Sequence, residues 1–269
     1  MPVTEIGCMG KPGLDIMDDT TEAGQILTRV YETVTTAPGG PYSVYWGVEI
    51  EADAGANAES KSNGVQATDP DPTKLWAFFD FDSVEQHEKF ANGPGRDAVK
   101  DLPKILTHSE LSGHVVLEPF PPLVLLAPVT EVMLAYFPSD ISRASKDAAS
   151  AQFQRFVDVA LSQCKQVRGV GSGWGVETNF PIRTVVMGAK GDEGGPEAET
   201  ELQGGRRKGA LFTAFIGWPS VGAHMAFRKT ELFRENVHLI TDMEGVVSLA
   251  MFHVSCRVLE RKEGQTRTE

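Results

Sequence analysis

The feature that most constrains this chain is a segment that it contains twice. Ser83-Val84-Glu85-Gln86-His87-Glu88-Lys89-Phe90 returns as Ser220-Val221-Gly222-Ala223-His224-Met225-Ala226-Phe227, both S-V-x-x-H-x-x-F, and each follows an aromatic run, Leu75 to Phe81 and Leu211 to Trp218. Other pairs keep the same order: Val3-Thr4-Glu5 with Val129-Thr130-Glu131, and Trp46-Gly47-Val48-Glu49 with Trp174-Gly175-Val176-Glu177. Similarity recurring at a nearly fixed spacing marks one unit written twice. The chain therefore divides into a first repeat over 1–121, a proline-rich linker over 122–128, a second repeat over 129–261 and a tail over 262–269.

Each repeat reads as β-α-β-β-α-β. The β-branched starts at Val3 and Val129 predict strands. Apolar residues at helical spacing then predict helices over 20–36, with Asp19 in the cap role, and over about 143–165. Strands around Trp46 and Trp174 follow, then the aromatic strands. Ser83 and Ser220 cap the next helices, Ser83 in a capping box with Gln86. Closing strands run over His114-Val115-Val116-Leu117 and from Val246 to Phe252. The polar stretches 52–73 and 184–208 cannot bury enough apolar surface to offset chain entropy and are expected to be mobile surface loops. The linker, with Pro119, Pro121, Pro122 and Pro128, is expected to be semi-rigid and extended. This is the ferredoxin-like order, an α+β class. One such sheet with helices on one face leaves the other face bare, and two copies can cover it by packing on each other.

Composition narrows the partners. A formal charge of −12 with no basic stripe disfavours nucleic acid and anionic membranes. The longest apolar run, Leu123 to Val129, is too short to cross a bilayer, and Met1-Pro2-Val3-Thr4-Glu5 is not a signal sequence, so a soluble, cytoplasmic protein is expected. Cys8, Cys164 and Cys256 are dispersed and read as buried free thiols. The six histidines show no metal-ligand spacing. Gly169-Val170-Gly171-Ser172-Gly173 precedes a strand rather than joining strand to helix, unlike a phosphate loop.

The repeated histidines are the candidate chemistry. His87 and His224 lie on the half-buried side of their helices, where an imidazole can serve as a general base beside a cavity or can pack to hold the helix on its sheet. Trp46 and Trp174 can line an aromatic pocket or fill the core. Strict alternation puts Glu49 and Glu177 on the opposite strand face, where they are expected at the sheet edge in solvent unless a local bulge turns them inward.

The V-T-E strand starts, the W-G-V-E strands and the aromatic strands leading into S-V-x-x-H-x-x-F resemble the dimeric α+β barrel superfamily. Within it they resemble the antibiotic biosynthesis monooxygenase-like branch, in a tandem single-chain form as in fungal proteins. The resemblance implies an intramolecular α+β barrel, a monomer with pseudo-dimeric halves, and an apolar or aromatic small molecule as partner. It implies cofactor-free oxygenation of an aromatic or polyketide-like substrate, with His87 or His224 as base and Trp46, Trp76, Phe90, Trp174, Trp218 and Phe227 as binding walls. The alternatives are a non-catalytic small-molecule-binding or stress-related barrel and a cyclase or decarboxylase that needs no O2. Haem, which some members hold through a histidine beyond the later helix aromatic, has one near match, His238.

Overall fold

A computed structural model of the chain describes residues 1–50, 73–183 and 207–261; the two polar stretches and the tail of the sequence reading lie outside these, apart from Thr73, Arg207 and Lys208. The first half comprises β1 (Val3–Gly10), α1 (Glu22–Thr36), β2 (Ser43–Ile50), β3 (Lys74–Phe81), α2 (Val84–Ala91), the short α3 (Pro94–Ala98) and β4 (Ser109–Glu118). The second comprises β5 (Val129–Phe137), α4 (Arg143–Val159), β6 (Gly169–Gly175), β7 (Phe180–Pro181), β8 (Lys208–Trp218), α5 (Val221–Arg228), α6 (Glu231–Asn236), α7 (His238–Thr241), β9 (Ser248–Val254) and β10 (Arg257–Glu260).

The strands form one closed antiparallel barrel. Its order is β2-β3-β1-β4-β6-β8-β5-β9, and β9 returns to β2 through Glu49↔Val254 and Ile50↔His253. The β4–β6 and β2–β9 pairings are the seams between halves, and β10 extends the sheet beyond β2. Alternation along the strands sends one set of side chains inward, among them Ile6, Tyr45, Trp76, Phe78, Leu134, Phe215 and Phe252, which fill the barrel. The other set faces the helices. Val3, Trp46, Ala77 and Phe81 pack under α1 and α2, while Met133, Phe212, Ile216 and Trp218 pack under α4 and α5. The bare face of each sheet is thus buried against its counterpart, as the α+β barrel reading requires.

Local details depart from expectation in three places. Helix α1 is capped by Thr21, whose hydroxyl accepts from the Gly24 amide at 3.0 Å, while Asp19 instead pairs with Arg257 and Thr28. The linker is not simply extended. Leu123–Leu126 coils into a 3-10 turn that buries Val124 and Leu125 against the barrel core, because an apolar run beside an open barrel end is better buried than solvated. Of the three free thiols, Cys8 is buried and Cys164 and Cys256 are half-buried. No helix among the described residues is long and apolar enough to cross a membrane.

The glycine of the first W-G-V-E has a steric cause. A Cβ on Gly47 would lie 2.4 Å from the Ser255 carbonyl oxygen, where the chain crosses from β9 to β10 over β2. Because the obstacle is backbone, Gly47→Ala is expected to lower the unfolding free energy by about 1–3 kcal/mol, measured as a lower denaturant midpoint. An unchanged midpoint would show that the crossover moves freely.

Candidate active site

The repeated motif is a device for aiming a histidine at a sheet. In the first half, β3 ends on Phe81 and two residues later the Ser83 hydroxyl accepts from the Gln86 amide at 3.2 Å, while the Gln86 side chain takes the Asp82 amide at 2.6 Å. His87 follows one turn into α2, with its ring centroid 4.7 Å from that of Phe81. In the second half Ser220 accepts from Ala223, and His224 stacks on Trp218 at 4.8 Å. Each helix histidine then meets a second histidine on the closing strand: His87 Nδ1 is 2.7 Å from His114 Nε2, and His224 Nδ1 is 2.8 Å from His253 Nε2. Each also faces the glutamate of V-T-E, His87 Nε2 lying 3.2 Å from Glu5 and His224 Nε2 3.3 Å from Glu131.

Beyond these shared contacts the halves diverge. Glu177 binds His114 with both oxygens: Oε1 is 2.6 Å from Nδ1 and Oε2 accepts the His114 backbone amide at 2.8 Å. The first half therefore holds a continuous line Glu5–His87–His114–Glu177, whose last member belongs to the second half. Glu49, the counterpart of Glu177, goes elsewhere. It points into the barrel, where it accepts from Trp76 Nε1 at 2.8 Å and from both terminal nitrogens of Arg183 at 2.7 and 3.0 Å. Neither glutamate follows the solvent reading. Glu49 does face away from Trp46, but that face is the barrel interior and Glu49 is 2% exposed. Glu177 lies beyond the end of β6, where strand alternation no longer applies.

Protonation follows the wiring. Burial lowers His87, partly countered by the charge of Glu5, so the ring is neutral near pH 7. Burial alone would lower His114 too, but the hydrogen bond and charge of Glu177, with the charges of Glu5 and Glu88, raise it above the ordinary value. Glu177 is pushed up by burial, yet the two donors of His114 bring it below the usual carboxylate range. In the second half, burial and the Arg228 charge draw His253 down to about 4, and burial, with His253 and Arg228, puts His224 well below its usual value. There burial pushes Glu131 up to about 7 against the pull of Arg228.

Space divides the halves more sharply. A cavity of about 260 Å³ opens between α2, α3 and the sheet, lined by Glu5, Gly7, Phe79, Phe81, His87, Phe90, Ala91, Arg96, Leu111 and Ser112 among others. The matching region beside His224 holds only about 20 Å³, room for little more than a water molecule. The positions that line both explain this. Gly7, Ala91, Arg96 and Ser112 are matched by Met133, Arg228, Phe233 and Met251, all of which line the smaller space. A Cβ on Gly7 would make only ordinary contacts, at 3.7 Å or more, so the glycine there leaves room above the sheet and is not required by the backbone.

The sequence-predicted residues are therefore dispersed. His87 and Phe90 line the open cavity, while His224, Trp218 and Phe227 line the filled one. Trp46 is buried edge-on against Tyr31 beneath α1, and Trp174 donates to Ser150 of α4 at 2.8 Å. Trp76 lies inside the barrel, stacked on Phe252 with ring centroids 4.5 Å apart. These three tryptophans line neither space. His238 is exposed at the start of α7 and lines neither, although its neighbour Val237 lines the smaller space. Among the described residues no group of three or more His, Cys, Asp or Glu side chains could hold a metal ion. Glu5, His114 and Glu177 were missed as site residues. One signal was available for the strand partners: each closing strand carries a His-Val pair, His114-Val115 and His253-Val254.

No family model and no curated protein matches the sequence. Solved structures do match in fold. An anthrone oxidase-like protein superposes with a TM-score of 0.59 at 12% identity, covering 100% of this chain and 97% of the other. A candidate monooxygenase of Lactobacillus acidophilus gives 0.52 at 11% identity, covering 97% and 96% of the two chains. A candidate monooxygenase of Fusobacterium nucleatum gives 0.53 at 7% identity, covering 97% and 94%. At these identities the likeness is one of fold: the chain has the α+β barrel architecture of these proteins.

The buried carboxyl of the second half sets a stability test. Glu131 ionises near 4.5 when unfolded and at about 7 when folded, so its contribution is complete at low pH and is lost as the pH rises through 7. Glu131→Gln keeps the neutral form. Its unfolding free energy, relative to the parent, is expected to rise between about pH 5 and about pH 8. A difference that does not change with pH would contradict the burial of that charge.

Proposed function

We propose that the chain is a tailoring enzyme that oxygenates a compact phenolic or polyketide-like aromatic without a cofactor, in the first-half cavity. The observation that carries this reading is a neutral imidazole, His87, with Nε2 beside Glu5 in a cavity otherwise walled largely by Phe79, Phe81, Phe90 and Leu111. An apolar wall with a few convergent polar groups suits a ligand that is mostly aromatic and carries one acidic position. The fold likeness to an anthrone oxidase-like protein and to candidate monooxygenases supports the same direction.

His87 removes a proton from a phenol, or from the CH2 of its keto tautomer, and Glu5 steadies the imidazolium so formed. The delocalised anion passes electrons to O2, and a carbon–oxygen bond forms to give a peroxide. The proton held by the histidine returns to the outer peroxide oxygen. Loss of the remaining C–H proton with cleavage of the O–O bond then leaves a carbonyl and water. Overall CH2 and O2 become C=O and H2O, so the substrate itself supplies the electrons.

Anthrone and simpler naphthols are the probes to test in an oxygen electrode. Uptake of O2 in step with probe consumption is expected, falling about 100-fold in His87→Ala. An unchanged rate in His87→Ala would overturn the base role, and a rate lost only on replacing His224 would move the site to the second half.

A further inference from the structure

We infer that Glu177, contributed by the second half, is a positioning residue that makes His114 a proton store for the first-half cavity. The inference deepens the reading above, since it concerns what happens to the proton that His87 removes.

The line of contacts gives the proton one route, from His87 to His114 and back. Glu177 accepts both the Nδ1–H and the backbone N–H of His114, which fixes a proton on Nδ1 and leaves Nε2 to face His87 Nδ1 across 2.7 Å. Above the pH at which His114 gives up its extra proton both rings are neutral: His87 donates Nδ1–H to His114 Nε2, and its own Nε2 lone pair faces the cavity beside Glu5. A proton arriving at His87 Nε2 makes an imidazolium there, and the Nδ1 proton passes to His114 Nε2. The end state is a neutral His87, donating Nε2–H to Glu5, and a positively charged His114 held by Glu177. No proton is gained or lost in the hop, and reversal returns it to the cavity when the peroxide needs it. The charged groups facing the pair are Glu5 from β1, Glu88 from α2 and Glu177 from beyond β6, all acidic.

The second half shows what the line lacks without its final carboxylate. His224 and His253 sit at almost the same separation, but Glu49 is committed to Arg183 and Trp76, and Arg228 stands where the first half has Ala91. That pair is buried among groups that disfavour a positive charge, so it holds none. Two equal histidine pairs thus differ in whether a carboxylate reaches the far nitrogen of the strand histidine.

The test needs neither substrate nor O2. In protein with 15N-labelled histidine, the ring signals of His114 are followed against pH in the parent, in Glu177→Gln and in Glu177→Asp. In the parent, His114 is expected to titrate above free histidine, and His253 well below it. Glu177→Gln still accepts the backbone amide but cannot take Nδ1–H as an anion, and is expected to lower the His114 pKa by about one unit or more, with Glu177→Asp restoring part of the shift. With anthrone, the pH at which O2 uptake is half-maximal should move in Glu177→Gln while probe binding stays close to parental. A parental His114 titrating below free histidine overturns the store even if the variant does not fold, as does a titration that Glu177→Gln leaves unmoved. Absence of O2 uptake with every phenolic probe would instead sink the proposed reaction, and the histidine titration would still decide the store.

Discussion

The structure depends on burying the face of each sheet that its own helices leave open. A ferredoxin-like half has helices on one side only, and its other side, carrying residues such as Trp76, Phe78, Phe215 and Phe252, is too apolar to be left in water. Closing the strands into a barrel buries both faces at once and removes free sheet edges at the seams. Closure also has a chemical result. The β4–β6 seam, with Val115 opposite Gly175, brings the chain just beyond β6 against His114, and so delivers Glu177 from one half to the site of the other.

Two halves of one design carry different electrostatics and different space. Both keep the cap serine, the helix histidine, the strand histidine and the V-T-E glutamate. The first adds a carboxylate at the end of the line and keeps small residues over the sheet, which yields charge storage beside an open cavity. In the second, Met133, Arg228, Phe233 and Met251 fill the space, and burial keeps its histidines neutral and pushes its glutamate up to about 7. A filled core contributes stability where an open cavity forfeits it. The second half carries the larger continuous cluster under its helices and supplies Glu177 to its neighbour.

Much of this was legible in the sequence. The repeated segment gave the element order, the serine caps and the helix histidines, because those are local consequences of spacing and capping chemistry. Glu177 and Glu49 were not legible. Alternation held for Glu49, but only closure of the barrel makes its face an interior, and Glu177 lies past the strand to which alternation was applied. The strand histidines fell outside the repeated motif because each meets its partner between sheet and helix, 27 or 29 positions away. A large flat side chain on a strand fills a core as readily as it lines a pocket: Trp46 and Trp76 are buried in the core, and the half-buried Trp174 packs against its edge. The contrast of Gly7 with Met133 was readable, but it acquires meaning only once both residues are known to point at the helix layer.

Of the two spaces beside the helix histidines, the one at His87 is open to a ligand and the one at His224 is not. Crystals soaked with 4-bromophenol test it directly through the anomalous signal of bromine. A bromine position is expected between Phe81, Phe90 and Gly7, and it should disappear in Gly7→Met. Bromine beside His224, or in neither space, would contradict it.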